Sequence, residues 1–201
     1  MPIKRFPKPF VELLRQESAR IESLHGEMEN IDPRQMRRWG IAKNETKTWG
    51  FRVRRMDVSK YFPQVVKKYP WIKNVVIKRS QGRFVSAEQE IKIVREIVRE
   101  HNANFHPTAY KIIPPIAYAL NKKLILMAET KKPTVEEIFD EKTEHGMKML
   151  WHLQKRHGID ASRLRKLCQI ACKRTETSEH NMLVLGAKNG QIIFMPLVDL
   201  Y

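Results

Sequence analysis

The sequence predicts an α+β fold: a small antiparallel sheet with one helix, then a helical part carrying a β-hairpin, with a helical extension in front. Three observations predict it. Apolar residues recur at helical spacing in Phe10 to Leu24, in Ile91 to Val98 and along Ser162 to Arg174. Short runs of β-type residues lie between those helices, at Val75 to Ile77, Leu124 to Met127, Met182 to Leu185 and Ile192 to Met195. Turn chemistry separates the runs, most clearly at Asn189-Gly190.

In chain order, Phe10, Leu13, Leu14, Ile21 and Leu24 share one helix face, with Arg15, Glu17, Arg20 and Glu22 mostly elsewhere. That face must dock, either on the sheet that follows or on a protein partner. Asp32 and Pro33 open a short helix that bears Arg34, Arg37 and Arg38 and stops at Gly40. Val58, Tyr61, Phe62, Val65 and Val66 then fall at helical spacing around Pro63, which predicts a broken helix. We divide the chain into an extension (1–48), an α+β region (49–128) and a helical region with a hairpin (129–201).

Val75-Val76-Ile77-Lys78 is an apolar strand that ends in lysine, and Ser86-Ala-Glu-Gln89 is a capping box that opens a helix reaching His101. Glu90 falls in register with Ile93, Val94 and Ile97, which points it towards Lys78; Glu96 is the second candidate. Two extended runs, Ile112 to Leu120 and Leu124 to Met127, join at Asn121-Lys-Lys123 as a hairpin. A polar stretch from Ala128 to Pro133 leads to a second capping box, Thr134-Val-Glu-Glu137. Much later comes Arg174-Thr-Glu-Thr-Ser-Glu-His-Asn181, followed by Met182-Leu-Val-Leu185, the Asn-Gly turn and Asp199.

This order resembles protein kinases, and within them the RIO and KEOPS-type atypical kinases, whose catalytic loop has the form His-x-Asp-Leu-Ser/Thr-x-x-Asn followed by Ile/Met-Leu. The match lies at Ser178, Asn181, Met182 and Leu183. The resemblance implies a two-lobed core whose large lobe is truncated, with ATP and Mg2+ as cofactors. Lys78 would contact the phosphates, Glu90 would orient Lys78, and Asn181 and Asp199 would hold the metal. Glu176, at the place of the catalytic aspartate, would orient the acceptor or a water. The chain departs from the pattern where Arg174 replaces the loop histidine and Glu176 the aspartate. Only Gly26, Gly40 and Gly50 precede Lys78, so no glycine-rich phosphate cover can be written. Asp199 stands three residues beyond the place counted from Gly190, which Pro196 occupies.

Composition bounds the partners. The 201 residues carry 38 Lys plus Arg against 22 Asp plus Glu, a net charge of +16, which favours polyanions. Arg52, Arg54 and Arg55 follow Trp49 and Phe51, an interleaving that suits phosphate contact and base stacking. The same alternation also suits a strand with Trp49, Phe51 and Val53 inward and the arginines on a solvated face. With Arg34, Arg37 and Arg38 they form the expected nucleic-acid face. A second basic group, Arg163, Arg165, Lys166, Lys173 and Arg174, rides on a helix whose buried stripe is expected at Leu164, Leu167 and Ala171. A third flanks Tyr69-Pro-Trp71.

No run approaches the roughly twenty apolar residues that span a bilayer, and Met1-Pro-Ile-Lys-Arg-Phe6 lacks a signal-peptide core, so a cytoplasmic location is expected. Cys168 and Cys172, four apart on a helix, read as reduced core residues. No P-loop, G-x-S-x-G elbow, C-x-x-C or H-E-x-x-H pattern is present. The expected function is a basic kinase-like or pseudokinase domain acting on or within an RNA-containing assembly of ribosome or tRNA-modification type. Two alternatives stay open: a non-catalytic RNA- or ribosome-binding protein, and an active small-molecule or RNA kinase with a rebuilt phosphate loop.

Overall fold

The computed structural model describes residues 5–30, 53–80, 85–105, 107–128, 132–140 and 144–198. Within them the chain is α+β, built as two sheets with their helices and three apolar clusters.

The first sheet has five antiparallel strands in the order β1 (Glu29–Asn30), β2 (Val53–Asp57), β3 (Asn74–Arg79), β6 (Leu124–Ala128) and β5 (Ala117–Ala119). One face carries α1 (Lys8–Gln16) and α2 (Ser18–Leu24), whose Phe10, Leu14 and Ile21 pack with Met56, Val75, Ile77 and Leu126. The predicted N-terminal helix therefore docks on the sheet, divided in two at Glu17, whose backbone (φ −88°, ψ 8°) leaves the helical region. Each fully buried Phe, Leu or Ile of this kind contributes about 1.5–3 kcal/mol, so α1 and α2 form an integral layer of the first core. Their polar face is the one that stays open.

The broken helix forms as α3 (Val58–Tyr61) and α4 (Pro63–Lys68). Asp57 caps α3 through Ser59 N–H at 2.8 Å, and Phe62, which precedes the proline, leaves the helical region at φ −140°, ψ 62°. Across the sheet lies α5 (Ala87–Phe105), opened by the Ser86 and Gln89 capping box and four residues longer than its apolar pattern predicts.

The run from Ile112 to Leu120 is not one strand. Ile113-Pro114-Pro115-Ile116 cannot supply ladder N–H groups at the prolines, and the chain uses this stretch to cross between sheets. Before it, β4 (Tyr110–Ile112) runs parallel to β8 (Gln191–Pro196), the central strand of a second, three-stranded sheet; after it, β5 pairs with β6. β7 (Met182–Lys188) and β8 form the expected hairpin, and Asn189 (φ 52°) with Gly190 (φ 77°) makes its turn.

α6 (Val135–Phe139), α7 (Glu144–His157) and α8 (Ala161–Arg174) cover this sheet through Ile138, Leu153, Leu164 and Cys168. α6 begins on the predicted capping box, which Thr134 and Glu137 complete. α6 and α7 approach so closely that a Cβ on Gly146 would overlap the Glu137 carbonyl. The buried stripe of α8 is Leu164, Cys168, Ala171 and Cys172; Leu167 is only half-buried, because both thiols turn inward. Burial pushes the Cys172 thiol up to about 12 and Cys168 further, in keeping with inert core cysteines.

Candidate functional site

The site is built where the two sheets meet. Lys78 sits on β3, opposite Val53 of β2 and Ile125 of β6, so it lies on a central strand. Alternation along the strand gives it the same face as Val76, the face that α5 covers with Ala87 and Ile91. Glu90 belongs to the first turn of α5, where the helix dipole favours a carboxylate. The two side chains meet: Lys78 Nζ lies 2.6 Å from Glu90 Oε1, and each side chain is 2% exposed. The second candidate, Glu96, points elsewhere and lies 3.9 Å from Lys92.

Lys78 Nζ also donates to the main-chain carbonyl of Val198 at 2.6 Å, a partner that no side-chain pattern could have revealed. Val198 follows the end of β8, and its neighbour Leu197 donates its N–H to the carbonyl of Asn181 at 2.8 Å. Asn181 closes a 3-10 turn (Glu179–Asn181) and is 1% exposed. Hydrogen bonds thus link Glu90 to Lys78, Lys78 to Val198 and, through the adjoining Leu197, this segment to Asn181, across 120 residues of chain. Three of the predicted site residues, Lys78, Glu90 and Asn181, converge on the segment 197–198. Asp199 lies outside the described residues.

Glu176 is arranged differently. It is the residue after the last turn of α8, with φ 50°, and its side chain is exposed. Thr177 N–H reaches the Cys172 carbonyl at 3.0 Å and Glu176 N–H the Lys173 carbonyl at 3.4 Å, the paired bonds of a Schellman cap. Glycine is the usual occupant of that left-handed position, so the glutamate backbone is used to end a helix.

Two of the three ammonium N–H groups of Lys78 are given to Glu90 and Val198, and the side chain is 2% exposed, so a phosphate oxygen has no open path to it while segment 197–198 is in place. Among the described residues, no group of three or more His, Cys, Asp or Glu is disposed to hold a metal ion.

Of the expected nucleic-acid residues, Arg34, Arg37, Arg38 and Arg52 lie outside the described residues. Arg54 is opposite Ile77 on the face covered by the N-terminal helices and is 6% exposed, so the expected solvated face of arginines is not met at this residue. Burial, and after it the positive charge of Arg79, lower its pKa. Arg55 is half-buried. The basic residues of α8 fare otherwise: Arg163, Arg165, Lys166, Lys173 and Arg174 are all exposed. Arg174 lies 4.2 Å from the centre of the Phe105 ring, which is 47% exposed. Among the described residues no helix is long and apolar enough to cross a membrane.

No family model, curated protein or solved structure matches the chain.

Proposed function

We propose that the chain is a pseudokinase-like binding domain of an RNA-containing assembly, in which the lysine-glutamate pair of a kinase small lobe serves as an internal clamp. The observation that carries this reading is the double engagement of Lys78 Nζ by Glu90 and by the Val198 carbonyl, with both charged side chains 2% exposed. A phosphate-binding lysine has to be reachable by phosphate, whereas a clamp has to be dry. The Schellman cap at Glu176 supports the same reading, since an exposed residue fixed by helix termination is poorly held for proton transfer. RNA enters through charge: a net +16, and five exposed cations on α8, one of which, Arg174, stacks on Phe105. A cytoplasmic setting goes with that partner.

The test has two arms. Calorimetry with magnesium-ATP at about millimolar concentration, the weak end of the affinity scale, is expected to give no binding heat. Titration of a labelled single-stranded RNA is expected to give affinity that falls steeply with salt, and Arg163→Ala with Arg165→Ala is expected to reduce the log-log salt slope by about one for each phosphate no longer neutralised. Sub-millimolar ATP binding that disappears in a folded Lys78→Met variant would overturn the clamp reading. It would favour the active-kinase alternative, which the formed Lys78–Glu90 contact also suits and in which Asn181 and Asp199 hold Mg2+.

A further inference from the structure

β5 is one of the two outer strands of the five-stranded sheet, and its edge is not bare. Leu120 N–H bonds to the Leu124 carbonyl, so residues 118 and 120 form the hydrogen-bonded pairs with β6 and residues 117 and 119 direct their backbone groups outward. Both outward carbonyls are covered by guanidinium groups from flanking helices. Arg95 Nη2 on α5 reaches the Ala117 carbonyl at 2.7 Å, and Arg15 Nε on α1 reaches the Ala119 carbonyl at 3.0 Å. Along this edge runs a groove of about 730 Å³, walled by α5, β5 and the turn after it. Clefts of about 300–1,000 Å³ hold ligands. Its lining is cationic: Arg15, Lys92, Arg95, Arg99 and Lys122 against the carboxylates Glu88 and Glu96, with Glu12 beside it holding Arg15 Nη1 at 2.7 Å. The five cations are exposed, as befits a surface open to a partner.

We propose that this edge is a docking site for an extended acidic peptide segment of a partner protein, added to β5 as a sixth strand. A plain edge strand recruits any extended chain; this one presents arginines that must first leave their carbonyls. A peptide whose carboxylates receive Arg15 and Arg95, and whose N–H groups replace them at Ala117 and Ala119, compensates both losses. A neutral or basic strand compensates only one. Main-chain bonds then supply affinity and the flanking cations supply selectivity. RNA is the less suited occupant, because the groove follows a row of backbone groups two residues apart and none of the aromatic rings beside it is fully exposed: Tyr118, which lines it, is half-buried.

The test is fluorescence anisotropy of a labelled ten-residue peptide of alternating Glu and Val titrated with the intact protein at low salt. Binding is expected, and a Lys-Val counterpart is expected to bind at least tenfold more weakly. Two peptides N-methylated on alternate residues are the decisive probes, because only one set of N–H groups can face β5. Methylation of that set is expected to cost at least tenfold and methylation of the other set little. The double variant Lys92→Glu with Arg99→Glu, which leaves the two carbonyl-capping arginines in place, is expected to weaken the peptide at least tenfold with an unchanged melting temperature. Equal tolerance of both methylated peptides would reduce the groove to a patch of charge and overturn the proposal. So would displacement of the peptide by a stoichiometric oligouridylate with the same dependence on Lys92 and Arg99.

Discussion

Two regions of the molecule carry the pattern that resembles a kinase, and they have been treated differently by the fold. Around Lys78 every feature is fixed more than once: a central strand, a helix first turn, a buried ion pair and a main-chain acceptor from a segment 120 residues away. Around Glu176 the backbone is fixed by a helix cap while the side chain is left in solvent. The two regions join through Asn181, whose carbonyl holds Leu197 next to Val198. A residue pattern survives in a structure for the interactions its atoms make there. At Lys78 the interactions belong to the side chain, and at Glu176 they belong to the main chain.

The sharpest way to break this comparison is to remove one member of the buried pair. Lys78→Ala leaves the Glu90 carboxylate buried without its ammonium partner, a change that costs about 3–5 kcal/mol in comparable buried pairs. Replacing both partners, as in Lys78→Met with Glu90→Leu, is expected to recover most of that loss in urea unfolding, because two charges no longer have to be desolvated. A double variant as unstable as the single would mean that the Val198 contact, and not the ion pair, supports the region. The same logic governs any nucleotide assay: loss of ligand binding in Lys78→Ala is informative only where the variant is folded.

The second contrast is smaller and of opposite sign. Glu176→Gly relieves a left-handed backbone position that glycine adopts without steric cost, and is expected to raise stability by about 1 kcal/mol. If the substitution destabilises, the glutamate side chain makes a contribution that outweighs its backbone strain, and a functional role for it gains weight.

Much of this was legible in the residues. Glu90 could be aimed at Lys78 because the strand alternates and Glu90 shares a helix face with Val94, although Ile93, placed on that face in the sequence, is exposed and Ile97 is half-buried, the buried stripe running through Ile91, Val94 and Val98. The hairpin at Asn189-Gly190 was legible because the left-handed turn needs those residue types. Four things were not legible. Val198 acts through a carbonyl, which every residue has. The Schellman cap uses a glutamate where glycine is the signal. Arg54 reads as a surface residue by type, yet the register that puts it beside Ile77 under α1 and α2 depends on a contact between distant segments. Likewise the single apolar run from Ile112 to Leu120 hides a crossing, because its two prolines weigh as much for an edge strand as for a break.

The last contrast is between a buried and a half-buried titrating group. His101 of α5 is 2% exposed and lies 3.1 Å from the Tyr110 hydroxyl, in the seam between α5 and the second sheet. Burial lowers its pKa; the hydrogen bond with Asn102 opposes this and the charge of Arg174 adds to it. A histidine with a folded pKa below its unfolded value is neutral in both states above pH about 6.5, so there it costs nothing. As pH falls below that value the unfolded chain takes up a proton that the folded chain refuses, and stability declines by at most about 1.4 kcal/mol per pH unit until the folded pKa is reached. His152 of α7 is also shifted down, but it is far less buried and adds little to the same window. Thermal unfolding followed from pH 7 to pH 5.5 is therefore expected to show a falling melting temperature in the parent protein and a flatter profile in His101→Gln. Parallel profiles would assign the acid sensitivity to other groups, and the seam between the two sheets would then lack a proton-linked element.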